Sequence, residues 1–361
     1  MYYRDGIPKL IYRPETWTKM SNIIFVDSPV GTGFSYAATD EGSRSSDTKA
    51  VKHLLIFLKK WLLDHPQYLR NPLYIGGSSY SGMIIPVLTL AIDESNYLGQ
   101  KPHFNLKGYI IGNPSTDKQF DEDGKIPFFH GMGLISDELY EHAKETCRGK
   151  YSSPSNAHCE QSIQAINNCT KDINIFHILE PSCEEIFSPR IRNTAVKDVM
   201  SRLVLESAPA DDDFPRASYA LLKLWANDET VRKSLGVRKG TIGDWKRCND
   251  ESLHYIKDIP STVEYHSMLM KKGYRAMIYS GDHDAGFPFI GTQEWIRFLN
   301  ISVAEEWRPW YVAGQVAGFT RSYASNNLTY ATVKGAGHTA PEYKPKECFQ
   351  MFARWISGNS L

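Results

Sequence analysis

The segment of residues 74–82 reads YIGGSSYSG, and it decides the fold that this sequence predicts. A short apolar run leads into Gly77, and a long apolar run suited to a helix follows Ser81. A strand that ends in Gly-x-Ser-x-small and passes directly into a helix is the nucleophile elbow, where the central serine sits on a strained turn and small neighbours relieve crowding. Ser79 is therefore the candidate nucleophile. The alternative is that these glycines and serines only cap the following helix, which is their commoner use.

Strands and helices alternate on both sides of this elbow. Short apolar runs typical of buried parallel strands lie at residues 22–27 (NIIFVD), 73–76 and 108–112 (GYIIG). Apolar residues recur at helical spacing in residues 46–66 and 80–95. This alternation predicts a parallel sheet with helices on both faces.

The alternation is lost in residues 118–217, which are charged, irregular and cysteine-bearing, with helical patches at residues 137–147 and 194–205. We interpret this stretch as a cap or lid inserted over the sheet. Further along, the pattern predicts a buried strand, a helix, a hairpin that turns at Asn326-Asn327, and a closing helix, at residues 275–280, 292–299, 310–334 and 348–356.

Two later loops supply partners for the serine. A serine nucleophile needs a base, and the base needs a carboxylate that orients it. In this fold they follow in the order Ser, Asp, His, on loops at the carboxyl ends of later strands. Asp284 lies in one such loop (SGDHD) and His338 in another (KGAGH), while Asp282 and His283 are the rival acid and the rival base. We choose Asp284 because the aspartate further from the strand usually turns towards the histidine.

Composition narrows the kind of partner. The 361 residues carry 41 Lys and Arg against 41 Asp and Glu, so no net charge attracts nucleic acid or an anionic membrane surface. The longest apolar stretch, residues 83–92, contains Pro86 and is too short to cross a bilayer of about 30 Å. No CxxC pair offers a zinc site. We therefore expect a small-molecule substrate and neither a metal nor a cofactor.

The cysteines and glycosylation sequons indicate a secreted protein. Four of the six cysteines cluster in the middle of the chain, which predicts local disulfides: Cys147, Cys159, Cys169 and Cys183. Three Asn-x-Ser/Thr sequons agree with this compartment: Asn168, Asn300 and Asn327. The first residues, MYYRDG, contain no apolar core of a signal peptide. The cysteines and sequons within the sequence are therefore typical of a protein of the secretory pathway, whereas the first residues are not.

Five ordered motifs resemble plant serine carboxypeptidase-like proteins, and the resemblance runs nearly end to end. They are NIIFVDSPVGTGFSYA, PLYIGGSSYSG, GYIIGNP, YSGDHD and GAGHTAPEYKP, at residues 22–37, 72–82, 108–114, 279–284 and 335–345. The resemblance implies an α/β-hydrolase fold, a mostly parallel sheet with helices on both faces, as a single domain over residues 1–361. It implies the triad Ser79, Asp284 and His338, with the backbone N–H of Tyr80 as one oxyanion donor.

The same resemblance implies a disulfide pattern. Cys147 is expected to pair with Cys159 and Cys169 with Cys183, whereas Cys348 is expected to be unpaired. For a full-length form it implies the secretory pathway, with a vacuolar or extracellular destination.

The elbow separates two branches of this family. Its peptidases resemble GESYAG and its acyltransferases resemble GDSYSG, and this chain has Ser81 where peptidases have alanine. The peptidase glutamate, when protonated, can donate to the terminal carboxylate of a substrate, and Ser78 carries no such acid. We expect Ser78 to face the substrate and the reaction to be acyl transfer from a 1-O-glucose ester to an acceptor. A serine carboxypeptidase and an inactive product are the alternatives.

Other features of the sequence predict impaired turnover. Ser78 replaces the aspartate of the transferase pattern, and the small pair Ala285-Gly286 follows the triad aspartate, where relatives usually have larger apolar residues. One clear strand precedes the elbow, where the fold normally has several. The family loop GGPGCS, which supplies the second oxyanion donor and a cysteine, would lie before Met1, and Cys248 would lack its partner. We expect the 361-residue chain alone to be inactive.

Overall fold

The computed structural model describes residues 2–4, 7–181, 217–248, 253–323 and 327–361. The chain divides into two compact units. The smaller unit comprises Met1–Ser46 and Pro181–Ile256, and the larger comprises Asp47–Glu180 and Lys257–Leu361. The predicted limits of the cap stay a prediction, and its helical patch at residues 194–205 lies outside the described residues.

Strands and helices follow one another along the described residues. The strands are β1 Tyr2–Arg4, β2 Ile7–Lys9, β3 Ser45–Ser46, β4 Leu73–Ser78, β5 Leu106–Gly112, β6 Tyr255–Ile256, β7 Arg275–Gly281, β8 Val303–Val312, β9 Gln315–Tyr323 and β10 Leu328–Val333. The helices are α1 Asp40–Ser43, α2 Asp47–Asp64, α3 Ser81–Tyr97, α4 Lys118–Asp123, α5 Lys125–Gly131, α6 Asp137–Cys147, α7 Ala157–Thr170, α8 Ala217–Asn227, α9 Glu229–Ser234, α10 Val263–Lys271, α11 Phe289–Phe298, α12 Ala340–Tyr343 and α13 Pro345–Ile356.

The larger unit is built on a six-stranded sheet in the order β4-β5-β7-β10-β9-β8. The first four strands are parallel, and β9 and β8 continue the sheet in antiparallel pairing. Ser78 pairs with Gly112, and Val333 pairs with Gly281, so the carboxyl ends of these strands share one edge. The loops that follow β4, β7 and β10 therefore meet there, as loops do at the active edge of parallel sheets.

The apolar pattern that predicts these strands also forms the core. Tyr109, Ile111 and Ile278 are fully buried at the centre of the sheet, as expected for parallel strands covered on both faces. Helices α2, α3, α10 and α11 add side chains to the same core. The predicted strands at β4, β5 and β7, the helices α2 and α3, and the β9–β10 hairpin are confirmed. Asn326, at its predicted turn, lies outside the described residues.

The strand predicted at residues 22–27 is wrong. This run forms no regular element, and Phe25 is 82% exposed, with Ile24 and Val26 also exposed. An apolar run becomes a strand only where a neighbouring strand completes its hydrogen bonds, and no described strand pairs with this one. The side chain of Asp27 instead accepts a hydrogen bond from the backbone N–H of Phe34 (2.9 Å), which closes the following loop on itself.

The smaller unit holds short elements together with side-chain hydrogen bonds. Strands β3 and β6 form one parallel pair, and β1 and β2 form one antiparallel pair. Arg232 donates to the carbonyl oxygens of Ala226 (3.1 Å) and Gly243 (2.8 Å), which joins α8, α9 and the loop after them. Residues from the segments 31–37 and 241–246 line a cleft within this unit.

A second apolar cluster lies in the helices that follow β5. Cys147 at the end of α6 and Cys159 in α7 form a disulfide within this cluster, which confirms the predicted pair. Cys348 is fully buried and is a free cysteine, as the resemblance implied. Cys183 lies outside the described residues, so its pairing with Cys169 stays a prediction. None of the described helices is both long and apolar enough to cross a membrane.

A fully buried histidine lies in the core beside the sheet. One ring nitrogen of His266, Nδ1, hydrogen-bonds with the hydroxyl of Tyr109 (2.6 Å), and its ring stacks on Trp295 at 4.6 Å. The other nitrogen, Nε2, has no hydrogen-bond partner among the described residues. Burial lowers the pKa of His266 from 6.5 to about 3, because the charged imidazolium loses its hydration.

This histidine predicts a loss of stability in mild acid. Its folded pKa lies below its unfolded pKa, so between about 6.5 and 3 only the unfolded state binds the proton. The stability is present above pH 6.5 and falls as the pH drops, by about 2 kcal/mol between pH 7 and pH 5. Urea unfolding of the wild type and of His266→Gln at both pH values measures this. Because other groups titrate in the same range, the difference between the two proteins is the test, and equal pH dependences would contradict it.

Candidate active site

The elbow predicted at residues 74–82 is present in the structure. Ser79 lies between β4 and α3 with a φ of 59°, in the left-handed region that non-glycine residues rarely adopt. Its backbone N–H donates to the carbonyl of Gly112 (2.9 Å), and its carbonyl accepts from the N–H groups of Gly82 (2.9 Å) and Ser115 (3.0 Å). These bonds hold the serine in its strained conformation at the carboxyl end of the sheet.

Small residues are required around this turn because the chain approaches itself closely. A Cβ atom on Gly77 would lie 2.5 Å from the Cβ of Ser81, and a Cβ on Gly82 would lie 2.1 Å from the carbonyl oxygen of Ser115. Both distances are far below van der Waals contact. The Gly-x-Ser-x-small pattern therefore reflects steric necessity here, beyond any capping role.

Ser79, His338 and Asp284 form one continuous hydrogen-bonded chain. The Oγ of Ser79 lies 2.8 Å from Nε2 of His338, and Nδ1 of His338 lies 2.7 Å from Oδ2 of Asp284. Because a carboxylate only accepts, Nδ1 of the neutral imidazole carries the proton and Nε2 is free to accept from the serine hydroxyl. The Asp284 side chain is fully buried, and 11% of the His338 side chain is exposed. This is the arrangement that activates a serine for attack on a carbonyl carbon.

Fixed donors satisfy the buried carboxylate of Asp284. Its Oδ1 accepts from the backbone N–H groups of Gly286 (2.9 Å) and Phe287 (3.2 Å), and its Oδ2 accepts from Nδ2 of Asn113 (2.8 Å). A buried charge is tolerated only when it is hydrogen-bonded in this way. The donors also fix which oxygen faces the histidine.

Asn113 is a functional candidate that the sequence reasoning missed. It follows β5 with a φ of 43°, is fully buried, and uses its other side-chain atom, Oδ1, to accept from the N–H of Gly281 (3.1 Å). Its amide therefore links the end of β7 to the triad carboxylate. The signal was present in GYIIGNP, since asparagine adopts the left-handed conformation more readily than other non-glycine residues.

The rival acid and base bond to each other. One oxygen of Asp282, Oδ1, lies 2.6 Å from Nδ1 of His283 and accepts from the N–H of Gly335 (2.7 Å). Asp282 thus links the loop after β7 to the loop after β10, and it is Asp284 that contacts His338.

A segment that follows α7, residues 174–180, joins the loop of Asp284 after β7 to the loop of His338 after β10. We call it the strap. The carbonyl of Ile175 accepts from the N–H groups of Ala285 (2.8 Å) and Gly286 (2.9 Å), and the carbonyl of Phe176 accepts from the N–H of His338 (2.7 Å). No local pattern in the sequence predicted the strap, because it acts through backbone carbonyls, which every residue has.

Aromatic rings flank the imidazole of His338. The ring of Phe176 lies 5.0 Å away and that of Phe287 lies 5.3 Å away, between centroids. The next residue of the strap, His177, is buried, and burial lowers its pKa to about 4, with His283 and Lys344 adding to the shift. It is therefore uncharged at neutral pH and adds no positive charge beside the triad.

The remaining predicted residues lie on both sides of the nucleophile and at the surface. Ser78, at the end of β4, is exposed, and Tyr80 provides the N-cap of α3 with a φ of −57°. Among the sequon asparagines, Asn168 and Asn300 are exposed and Asn327 is half-buried. Their glycosylation stays a prediction.

The parallel sheet, the strained serine after β4 and the chain of three side chains across three loops define an α/β-hydrolase. The sequence matches the family model described as serine carboxypeptidase over residues 1–358. The chain belongs to the serine carboxypeptidase family and is an enzyme of that family.

Individual relatives agree with this assignment. Serine carboxypeptidase-like 11 of Arabidopsis thaliana is 46% identical over 361 residues, which cover 99% of this chain and 77% of the relative. Serine carboxypeptidase-like 17 of the same plant is 44% identical, with 99% and 76% covered. The crystal structure of Kex1Δp, a prohormone-processing carboxypeptidase from Saccharomyces cerevisiae, matches with a TM-score of 0.74 at 20% identity, over 97% of this chain and 77% of that one. The structural match supports the fold.

Proposed function

We propose that this enzyme transfers an acyl group from a 1-O-glucose ester to an acceptor through Ser79, His338 and Asp284. The observation that carries the proposal is the unbroken hydrogen-bonded chain from the serine hydroxyl to a buried carboxylate. The serine oxygen attacks the ester carbonyl while Nε2 of His338 takes the hydroxyl proton. That proton then passes to the departing glucose oxygen, which leaves an acyl-enzyme.

The second half of the reaction returns the enzyme to its starting state. The acceptor hydroxyl gives its proton to His338 as its oxygen attacks the acyl-enzyme. The proton moves on to Ser79 as the ester bond to the enzyme breaks. In both halves negative charge develops on the carbonyl oxygen, and the backbone N–H of Tyr80, at the N-terminus of α3, is the proposed donor to it. Water as the acceptor would give hydrolysis instead.

The residue before the nucleophile supports transfer over peptidase activity. A carboxypeptidase must hold the terminal carboxylate of its substrate, and a protonated acid is suited to that task. Ser78 is exposed beside Ser79 and carries only a hydroxyl. This side chain is uncharged and carries no acid, so it cannot hold a substrate carboxylate as the glutamate of the peptidases does. A neutral glucose ester makes no such demand.

Paired substrates test the proposal. The protein is expressed together with any in-frame coding sequence that precedes Met1. It is purified and incubated with 1-O-glucose esters and an acceptor, and separately with blocked dipeptides, and products are measured by liquid chromatography. We expect free glucose and an acylated acceptor in equal amounts from the first mixture, and negligible amino-acid release from the second. Efficient release of C-terminal amino acids would show that the enzyme is a carboxypeptidase.

Restoring an acid at position 78 is expected to increase transfer. Ser78→Asp places a hydrogen-bonding carboxylate beside the nucleophile, as in the pattern GDSYSG, and should raise kcat/KM for the glucose ester on the order of tenfold, or about 1.4 kcal/mol. Steady-state kinetics with the glucose ester measures it. Ser78→Ala is the matched control, because it tests loss of the hydroxyl without gain of an acid. An unchanged or lower rate in Ser78→Asp would show that this position does not orient the elbow.

We also propose that the protein matures in the secretory pathway, with a vacuolar or extracellular destination. The Cys147–Cys159 disulfide supports this, since such bonds form in oxidising compartments. The exposure of Asn168 and Asn300 supports their glycosylation there.

A further inference from the structure

A buried acid that the reaction does not use contacts the residue after the nucleophile. Asp47, the first residue of α2, is fully buried. Its Oδ1 accepts a hydrogen bond from the phenol of Tyr80 (2.8 Å), and its Oδ2 accepts one from the backbone N–H of Ile259 (2.9 Å). Asp47 therefore joins the start of α2, the elbow and the chain before α10.

This carboxylate is built to stay in place. It lies at the N-terminus of an 18-residue helix, where the helix dipole favours a negative charge. Burial and the hydrogen bond to Asp47 raise the pKa of Tyr80, so the phenol remains a donor at neutral pH. The ammonium of Lys257 lies 5.0 Å above the Tyr80 ring and adds a cation–π contact from another side. The Tyr80 side chain is thus held at its hydroxyl and on its face.

Anchoring the Tyr80 side chain also restrains its backbone N–H, the proposed oxyanion donor. Its backbone N–H comes directly after Ser79, whose φ of 59° is strained, and a strained turn persists only where its surroundings over-determine it. A side chain fixed at its far end resists rotation of the peptide to which it belongs. An oxyanion donor must be aimed within a few tenths of an ångström of the developing charge to be effective.

We propose that Asp47 is a positioning residue, which fixes the oxyanion donor of Tyr80 by anchoring its phenol. This inference rests on the proposed function, because it gives the Tyr80 N–H a role in acyl transfer. A merely structural role would make Asp47 a link between α2 and residues 257–259, with no effect on the reaction of Ser79. The two roles differ in whether the acylation rate or only stability changes.

The test uses a fluorophosphonate probe, which reacts with an activated serine and places its own developing charge where the ester oxyanion would lie. Second-order labelling rates are measured for the wild type, Tyr80→Phe, Asp47→Asn and the double variant, each expressed together with any in-frame coding sequence that precedes Met1, with urea unfolding in parallel. Tyr80→Phe removes one oxygen and keeps the backbone donor, so it remains informative if the Asp47 variant folds poorly. Thr48→Ala is the control, since its hydroxyl bonds to Asp258 (2.6 Å) in the same corner.

We expect Tyr80→Phe to label about tenfold to a hundredfold more slowly, part of the 10² to 10³ that loss of a whole donor costs. Asp47→Asn should slow labelling similarly, the double variant should be no slower than the slower single variant, and Thr48→Ala should match the wild type. A wild-type rate in Tyr80→Phe, even with lowered stability, would overturn the inference alone, and so would rate losses that multiply in the double variant. Absence of labelling in the wild type would overturn the proposed nucleophile, and the inference with it.

Discussion

Replacing Ser79 with alanine is expected to abolish acyl transfer, with a fall in turnover of about 10⁴ to 10⁶. The reason is that the triad acts as a unit. Without the serine oxygen no acyl-enzyme forms, and the 2.8 Å bond to His338 has no proton to pass. Turnover of a glucose ester by wild type and Ser79→Ala, with thermal unfolding in parallel, measures this. The melting temperature should change little, because alanine keeps the Cβ atom and the backbone hydrogen bonds that hold this turn.

The neighbouring serine provides the control for this prediction. Ser81 lies two residues further along, where the close approach to Gly77 demands a small side chain. Alanine is no larger than serine, so Ser81→Ala should leave this packing unchanged. We expect this variant to retain most of the activity and to label with a fluorophosphonate, whereas Ser79→Ala should not label. Near-normal turnover by Ser79→Ala would show that the elbow assignment is wrong.

Replacing Asp284 with asparagine should lower turnover by about 10⁴, because the histidine then takes the wrong tautomer. An amide facing Nδ1 of His338 can donate, which leaves the proton on Nε2, where it cannot accept from Ser79. The substitution keeps side-chain shape and the acceptor for the Gly286 N–H. Single-turnover acylation kinetics, which isolates the chemical step, measures the effect. Stability is measured alongside, because the residue is fully buried.

The adjacent acid is the matched control for Asp284. In Asp282→Asn the side-chain oxygen can still accept from the N–H of Gly335, and this residue bonds to His283 and makes no bond to His338. We expect less than about a tenfold change in turnover. A severe loss in Asp282→Asn with a mild one in Asp284→Asn would reverse the assignment of the acid.

The sequence predicts the elbow well because its cause is local. The contact of Gly77 with Ser81, four positions further along, demands small side chains at fixed spacing. The apolar runs of β4, β5 and β7 are equally local, since a strand buried on both faces needs them whatever its neighbours are. The order of Ser79, Asp284 and His338 could be predicted for a different reason, because the fold places them in that order on loops after its strands.

The support around the triad could not be predicted in this way. Asn113 meets Asp284 from 171 residues away, and Asp47 meets Tyr80 from 33 residues away. The strap acts through its backbone carbonyls, which leave no mark in the sequence. Such contacts depend on which loops the sheet order brings together, and no spacing rule encodes that order.

The run at residues 22–27 also shows that local composition is insufficient, because here it predicted a strand that the structure does not form. Its apolar composition is that of a buried strand, yet most of its side chains are exposed, because a strand also needs a partner for its backbone. By itself the sequence determined the nucleophile, the loops that carry its partners and most of the regular elements, since periodicity and steric crowding act over a few residues. The choice of Asp284 over Asp282 also agrees with the structure. Tertiary structure alone decided what holds the site in place, because hydrogen bonds between distant segments exist only once the chain has folded.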